Sequence, residues 1–166
     1  CQRWPGDGGF LFAPNTQYFE AKGELDESGR PASYESATCD GLLARLSCRT
    51  DHDTPAVKAT VEWLGKRAAI DERDEEQRND VGNAAAWRRG LWFYTAARRT
   101  AAMNRLLASV SAERKDIERK WRDETLAALL RKQRADGGWS NDSAAMREDD
   151  PLVATPLALL ALSGLD

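Results

Sequence analysis

The chain has 166 residues, of which 42% are hydrophobic and 31% charged, enough for one domain with a real core and too apolar for a disordered segment. Its 24 Lys and Arg are offset by 27 Asp and Glu, a formal net charge of −3, so nothing marks a nucleic-acid footprint. The longest apolar run, Leu152 to Leu162, is about half the roughly 20 residues that a membrane-crossing helix requires.

In chain order, residues 1–32 are rich in Gly, Pro, Asp and Asn and read as an irregular leading segment, with Phe10, Phe12, Tyr18 and Phe19 tacked onto a neighbouring surface. Pro31 and Ser33 open a first helix through Tyr34, Cys39, Leu42, Leu43 and Leu46. Thr54-Pro55 is a cap followed by a residue suited to a helix's first turn, and Val57, Val61 and Leu64 form one stripe ending near Gly65. Lys66 to Asp80 is a charged connector or a solvated helical extension. A third helix is expected from about Asn83 to Leu107, carrying Trp87, Leu91, Trp92, Phe93, Tyr94, Met103 and Leu106. After the charged approach Ser111 to Arg119, a fourth runs from about Ile117 to Arg134 with Trp121, Leu126, Leu129 and Leu130 inward. A last helix begins between Pro151 and Thr155, so that Pro156 falls in its first turn, and Gly164 stops it. No segment reads as a strand, so the expectation is an all-α chain of helical hairpins.

Two segments share a sharper pattern. Gln133-Arg-Ala-Asp136-Gly137-Gly138-Trp139 closes a helix with a tight turn, and Gln2-Arg-Trp-Pro-Gly-Asp7-Gly8-Gly9-Phe10 is a looser copy. Asp followed by two glycines suits backbone angles that Cβ-bearing residues resist. The turn is expected to fold Trp139 over a buried Gln133 amide, which would satisfy backbone groups left open at the helix end. Two copies in one chain point to a helical repeat.

The Gln133 to Trp139 segment resembles the QW repeat of the squalene-hopene cyclase, oxidosqualene cyclase and protein prenyltransferase superfamily. Ser33 to Leu43 is similar to the inner helix after a repeat turn, Pro55 to Leu64 to the outer helix that follows, Gly90 to Ala96 to an aromatic-rich helix of bacterial repeat members, and Trp121 to Leu162 to their final hairpin. The resemblance implies an α/α toroid, here a partial ring, with residues 1–166 forming a single repeat region from the C-terminal portion of a longer chain. It further implies an isoprenoid or other apolar ligand in the toroid cavity, no cofactor, and an open edge covered by the rest of the chain or by self-association. If the domain is active, the implied reaction is polyprene cyclisation, an intramolecular transfer. A non-catalytic interaction scaffold is the alternative.

Candidate chemistry is sparse. Class II cyclases of the superfamily protonate an alkene or epoxide with an Asp-X-Asp-Asp motif, and the nearest matches are Glu148-Asp149-Asp150-Pro151 and Asp51-His52-Asp53-Thr54. Neither is complete, and both sit where a helix begins, where acids favour the helix dipole. Asp149 and Asp150 are the candidate acids. Superfamily prenyltransferases use an Asp, Cys and His zinc site, but Cys39 and Asp40 are adjacent and diverge by about 100° on a helix, so no metal site is assigned. The three cysteines Cys1, Cys39 and Cys48 read as free thiols, Cys39 buried. Tyr34, Trp92, Phe93 and Tyr94 are the candidate cavity lining, although three successive aromatics cannot all face one way. Arg88, Arg89, Arg98 and Arg99 read as a solvated face rather than a diphosphate clamp. The structural repeat residues are Gln133, Gly137 and Trp139, with Gln2, Gly8 and Phe10.

Overall fold

The computed structural model describes residues 2–3, 7–11, 32–48, 54–66, 87–107 and 115–165. Helices dominate them: α1 (Glu35–Ser47), α2 (Pro55–Gly65), α3 (Trp92–Leu107), α4 (Lys115–Arg131) and α5 (Pro151–Ser163), with a 3-10 turn at Ala144–Met146. The chain is mostly helical. The leading segment, expected to be irregular throughout, nevertheless contains a small antiparallel pair, β1 (Gln2–Arg3) and β2 (Phe10–Leu11), with Gln2 opposite Leu11 and Arg3 opposite Phe10.

The helix boundaries follow local chemistry. At α2 the Thr54 hydroxyl accepts from the Val57 N–H at 3.3 Å and Pro55 occupies the first turn, as the sequence leads one to expect. At α5 the Asp150 carboxylate accepts from the Leu152 N–H at 2.9 Å, Pro151 begins the helix and Gly164 caps its end. Pro156 lies inside α5 rather than in its first turn. A proline there leaves the carbonyl four residues earlier, that of Leu152, without its helical donor. Leu152 is 84% exposed, so water can take that place.

Two further departures concern α3 and α4. The helix expected from Asn83 is interrupted: residues 87–89 are helical, Gly90 and Leu91 form a turn in which the Leu91 N–H reaches back to the Arg88 carbonyl, and α3 proper begins at Trp92. Gly90 is a poor helix former at the break. Residues 83–86 and the connector from Arg67 onward lie outside the described residues. In α4, Leu126 and Leu130 are exposed rather than inward, and Trp121, Thr125, Ala128 and Leu129 occupy the buried face. Helix α4 also ends at Arg131, because Gln133 leaves it to pair with Trp139.

Helix α3 lies between α1 and α5 and packs closely along both, whereas α2 rests on α1 and α4 on α5. Two apolar clusters result. One joins Trp92, Phe93, Ala96 and Ala97 of α3 to Ala128 and Leu129 of α4, Trp139, and Ala154, Ala158 and Ala161 of α5. The other joins Cys39, Leu42 and Leu46 of α1 to Val57, Trp63 and Leu64 of α2 and Ala102 and Leu106 of α3. Small residues on α5 let the bulky rings of α3 approach closely, which keeps the interface dense. Charge also crosses the α1–α3 interface. Arg99, 5% exposed, meets Glu35 at 2.5 Å, and Arg98 meets Asp40 at 2.5 Å. These arginines are thus structural, not the solvated face expected from their spacing.

The two Asp-Gly-Gly turns share one geometry. In each, the Asp carboxylate accepts from the second glycine's N–H (Asp7 from Gly9 at 2.8 Å, Asp136 from Gly138 at 3.1 Å), and the first glycine takes a left-handed φ, +88° at Gly8 and +83° at Gly137. The next aromatic then donates its backbone N–H to a threonine of a following helix: Phe10 to Thr38 at 3.0 Å and Trp139 to Thr155 at 3.0 Å. Those threonines sit in matching segments, Ala37-Thr-Cys-Asp-Gly-Leu-Leu-Ala44 of α1 and Ala154-Thr-Pro-Leu-Ala-Leu-Leu-Ala161 of α5. The repeated unit is therefore a turn, an aromatic and a threonine-bearing helix.

The amide of Gln133 does not sit buried beneath the indole. Gln133 is exposed, and its amide nitrogen closes the turn by donating to the Gly137 carbonyl at 2.8 Å. The helix-end carbonyl of Leu129 is satisfied instead by the Trp139 indole N–H at 2.8 Å. In the first copy the residue opposite the aromatic is Arg3, and Gln2 lies one position further out, opposite Leu11.

The glycines separate backbone strain from crowding. A Cβ at Gly137 meets nothing within 4 Å, while one at Gly8 collides with the Ala59 carbonyl. Gly137→Ala should cost roughly 1–2 kcal/mol from the left-handed backbone alone. Gly8→Ala should cost a further ~1–3 kcal/mol because the crowding partner is backbone and cannot turn away. Urea denaturation of the two variants should rank them in that order.

Candidate functional site

A cavity of about 310 Å³ opens where the N-terminal turns of α1, α3 and α5 converge, lined by Tyr34, Ala37, Asp40, Leu91, Tyr94, Met146, Glu148, Val153 and Leu157 among others. Its walls are mainly apolar, with carboxylates at two points. One is the Asp40 carboxylate, which accepts from the Tyr94 hydroxyl at 2.7 Å and from the Arg98 guanidinium at 2.5 Å. Burial, and then the hydrogen bond to Asp40, push the Tyr94 hydroxyl up to about 12.

The other is Glu148, 1% exposed, whose two oxygens accept from the Phe93 N–H at 2.9 Å and the Tyr94 N–H at 2.8 Å, with the Asn141 amide at 3.2 Å. These are open donors of the first turn of α3, so the carboxylate is its cap and its counter-charge. Asn141 also donates to the Arg89 carbonyl, and its N–H to the Glu148 carbonyl at 2.7 Å. The loop of residues 140–150 is thereby fastened to the start of α3. Burial raises the Glu148 carboxyl above its ordinary 4.5, outweighing the hydrogen bonds that favour the charged form.

The structure separates the residues expected to act together. Tyr34 and Tyr94 line the cavity, but Trp92 and Phe93 point into the core, where their rings meet edge to face with centroids 4.8 Å apart. The Trp92 ring also carries Lys132 at 4.7 Å. Asp149 is exposed and Asp150 is the cap of α5, so of the three acids in that run the one at the cavity is Glu148. Cys39 is fully buried, and burial lifts its thiol well above the usual range. Asp51, His52 and Asp53 lie outside the described residues, as do Cys1, Phe12, Tyr18 and Phe19. No group of three or more His, Cys, Asp or Glu among the described residues is placed to hold a metal ion. Nor is any helix among them long and apolar enough to cross a membrane.

Residue-by-residue reading does not single out Glu148 or Asp40. Each looks like an ordinary surface acid, and its role depends on contacts 54 or more positions away along the chain. The signal available for Glu148 was weak: an acid a short step before a Pro-initiated helix, paired in sequence with Asn141 across a polar loop. Comparison with known protein families, characterised proteins and solved structures finds no match to this chain.

Two outcomes follow from the buried acid. Glu148→Gln keeps the shape but turns a donor toward the N–H groups of Phe93 and Tyr94, which should cost ~1–3 kcal/mol in denaturant melts, while Asp149→Asn should leave stability near wild type. The pH dependence has a definite sign. The folded state holds the Glu148 proton more tightly than the unfolded chain, so this contribution is present below 4.5 and is lost as pH rises through the raised value. Glu148→Gln should remove that slope. For Tyr94, absorbance titration should show one late phenolate near pH 12 that disappears in Tyr94→Phe.

Proposed function

We propose that this chain is an arc of an α/α toroid of the terpenoid-cyclase and prenyltransferase kind, and that it holds a short apolar, isoprenoid-like ligand in the cavity between α1, α3 and α5. The observation that carries the reading is the cavity itself. It is bounded by Ala37, Leu91, Met146, Val153 and Leu157, with hydroxyls and carboxylates confined to a few points. Small-molecule sites combine walls and polar groups in this way, and about 310 Å³ lies at the lower end of their range. The size favours a chain of a few isoprene units over one as long as squalene. The turn-and-helix unit supports the repeat architecture, since stacked copies bury a face that one copy leaves open.

The role proposed is binding rather than proton-driven cyclisation. A general acid for an alkene must present a free proton to the ligand. Asp40 is held by Arg98 and Tyr94, Glu148 by the first turn of α3, and Asp150 by the first turn of α5. The scaffold reading is the alternative, and it gains weight from the leucines exposed on α5.

Titration calorimetry with geraniol and farnesol tests the proposal. Saturable binding is expected, weakened at least ~10-fold by Val153→Trp, a residue that is only half-buried and borders the cavity. Straight-chain alcohols of equal length that bind as well would make the site a general apolar one. If none of these ligands binds, the scaffold reading takes its place. Incubation with squalene should yield no cyclic product by mass spectrometry, and a cyclic product would restore the enzymatic reading.

A further inference from the structure

The cavity between α1, α3 and α5 is short of hydrogen-bond donors. Asp40 accepts from the Tyr94 hydroxyl at 2.7 Å and from the Arg98 guanidinium at 2.5 Å. Glu148 accepts from the N–H groups of Phe93 and Tyr94 and from the Asn141 amide. Each of these donors is committed to a carboxylate, and among the described residues no Lys, Arg or His lines the cavity. What the Asp40, Glu148 and Tyr94 oxygens still offer is acceptor lone pairs.

Ser36 is the exception. It is 6% exposed and lines the same cavity, and among the described residues its hydroxyl has no hydrogen-bond partner. A buried hydroxyl left open is costly, so the site calls for a group that completes it. Ser36 and Asp40 stand four residues apart on α1 and therefore share one face, a turn from each other. With Tyr94 bonded to Asp40, these three residues make a polar station on the α1 wall. The α5 wall, through Val153 and Leu157, is apolar.

We propose that the cavity selects its ligand by the head group and takes an uncharged alcohol, whose O–H donates to the Asp40–Tyr94 pair and whose oxygen accepts from Ser36. This assignment rests on the reading of the cavity as an isoprenoid site and adds the chemical class of the ligand. A hydroxyl supplies the donor that the carboxylates can still accept, and it takes the one donor left open. A diphosphate or a carboxylate needs several donors or a counter-cation, and it would face two carboxylates with neither. An ammonium group would meet carboxylates that are already compensated, Asp40 by Arg98 and Glu148 by the start of α3, so little offsets its desolvation. The Tyr94 hydroxyl, pushed up to about 12, keeps its proton at neutral pH and stays committed to Asp40.

Titration calorimetry with one tail and several heads tests this. Farnesol should bind at least ~10-fold more tightly than farnesyl methyl ether, farnesoate or farnesyl diphosphate. Ser36→Ala should weaken farnesol about 5-fold with unchanged circular dichroism. Asp40→Asn releases Arg98, so farnesoate should bind this variant at least ~10-fold more tightly than wild type, a gain that damage to the fold would not produce. Farnesoate or the diphosphate binding wild type as tightly as farnesol overturns the head-group assignment and leaves the isoprenoid reading standing. So does an Asp40→Asn chain that gains nothing for farnesoate, and so does farnesylamine binding more tightly than farnesol. If farnesol itself does not bind, the isoprenoid reading falls and this assignment with it.

Discussion

A buried carboxylate at the start of α3 is the contact on which the arrangement depends. Taking a charge out of water is costly, and Glu148 is tolerated because its two oxygens meet two open N–H groups at a helix N-terminus and the Asn141 amide. The same bonds decide where α3 begins. Without a partner in this dry region, the first-turn donors of Phe93 and Tyr94 would themselves carry a penalty. One acid therefore places the loop of residues 140–150, fixes where α3 starts after the turn at Gly90 and Leu91, and sets one wall of the cavity. Since α3 packs along both α1 and α5, fixing its start also fixes the register of both interfaces.

The second organising device is the Asp-Gly-Gly turn, whose purpose is to aim an aromatic. In the first copy Asp7 also binds the Ser33 hydroxyl at 3.1 Å and the Trp63 indole at 3.2 Å, so the turn ties α2 to the residues that precede α1. Thr60 adds a bond to the Gly8 carbonyl at 2.8 Å. In the second copy the indole N–H of Trp139 reaches the last turn of α4 while its backbone binds Thr155 of α5. Each turn is thus a three-way junction between the aromatic, the following helix and a neighbouring one. The Gln of the motif has a smaller share: it closes the turn from outside.

Much of the fold was legible because it rests on local rules. Thr54-Pro55 and Gly164 mark helix ends through groups a few residues away, and the stripe through Cys39, Leu42 and Leu46 states which face of α1 is inward. Long-range contacts were not legible. Nothing local says that Thr125 and Ala128, rather than Leu126 and Leu130, face the core; that depends on where Trp92 and Trp139 meet α4. Helix ends need a cap, which makes a buried Gln133 the expectation from sequence, yet the Trp139 indole meets that need. Of the candidate site, the two tyrosines could be read and the two carboxylates could not, since their partners lie on distant helices. The paired Ala-Thr segments of α1 and α5 mark the repeat as firmly as the turns do.

That pairing also explains why α5 has two unlike apolar faces. Alanines on its inner side are required by α3, whose Trp92 and Phe93 occupy the space that larger α5 residues would take. Leucines on its outer side remain mostly exposed, and a helix that needed only to cover α3 would carry polar groups there. In α1 the corresponding face is buried beneath α2. The cavity opens by the first turns of α5, through Val153 and Leu157, and the exposed leucines run along its other side. One rigid element thus carries both a wall of the cavity and an exposed apolar face, with the Thr155 bond to Trp139 holding it in place.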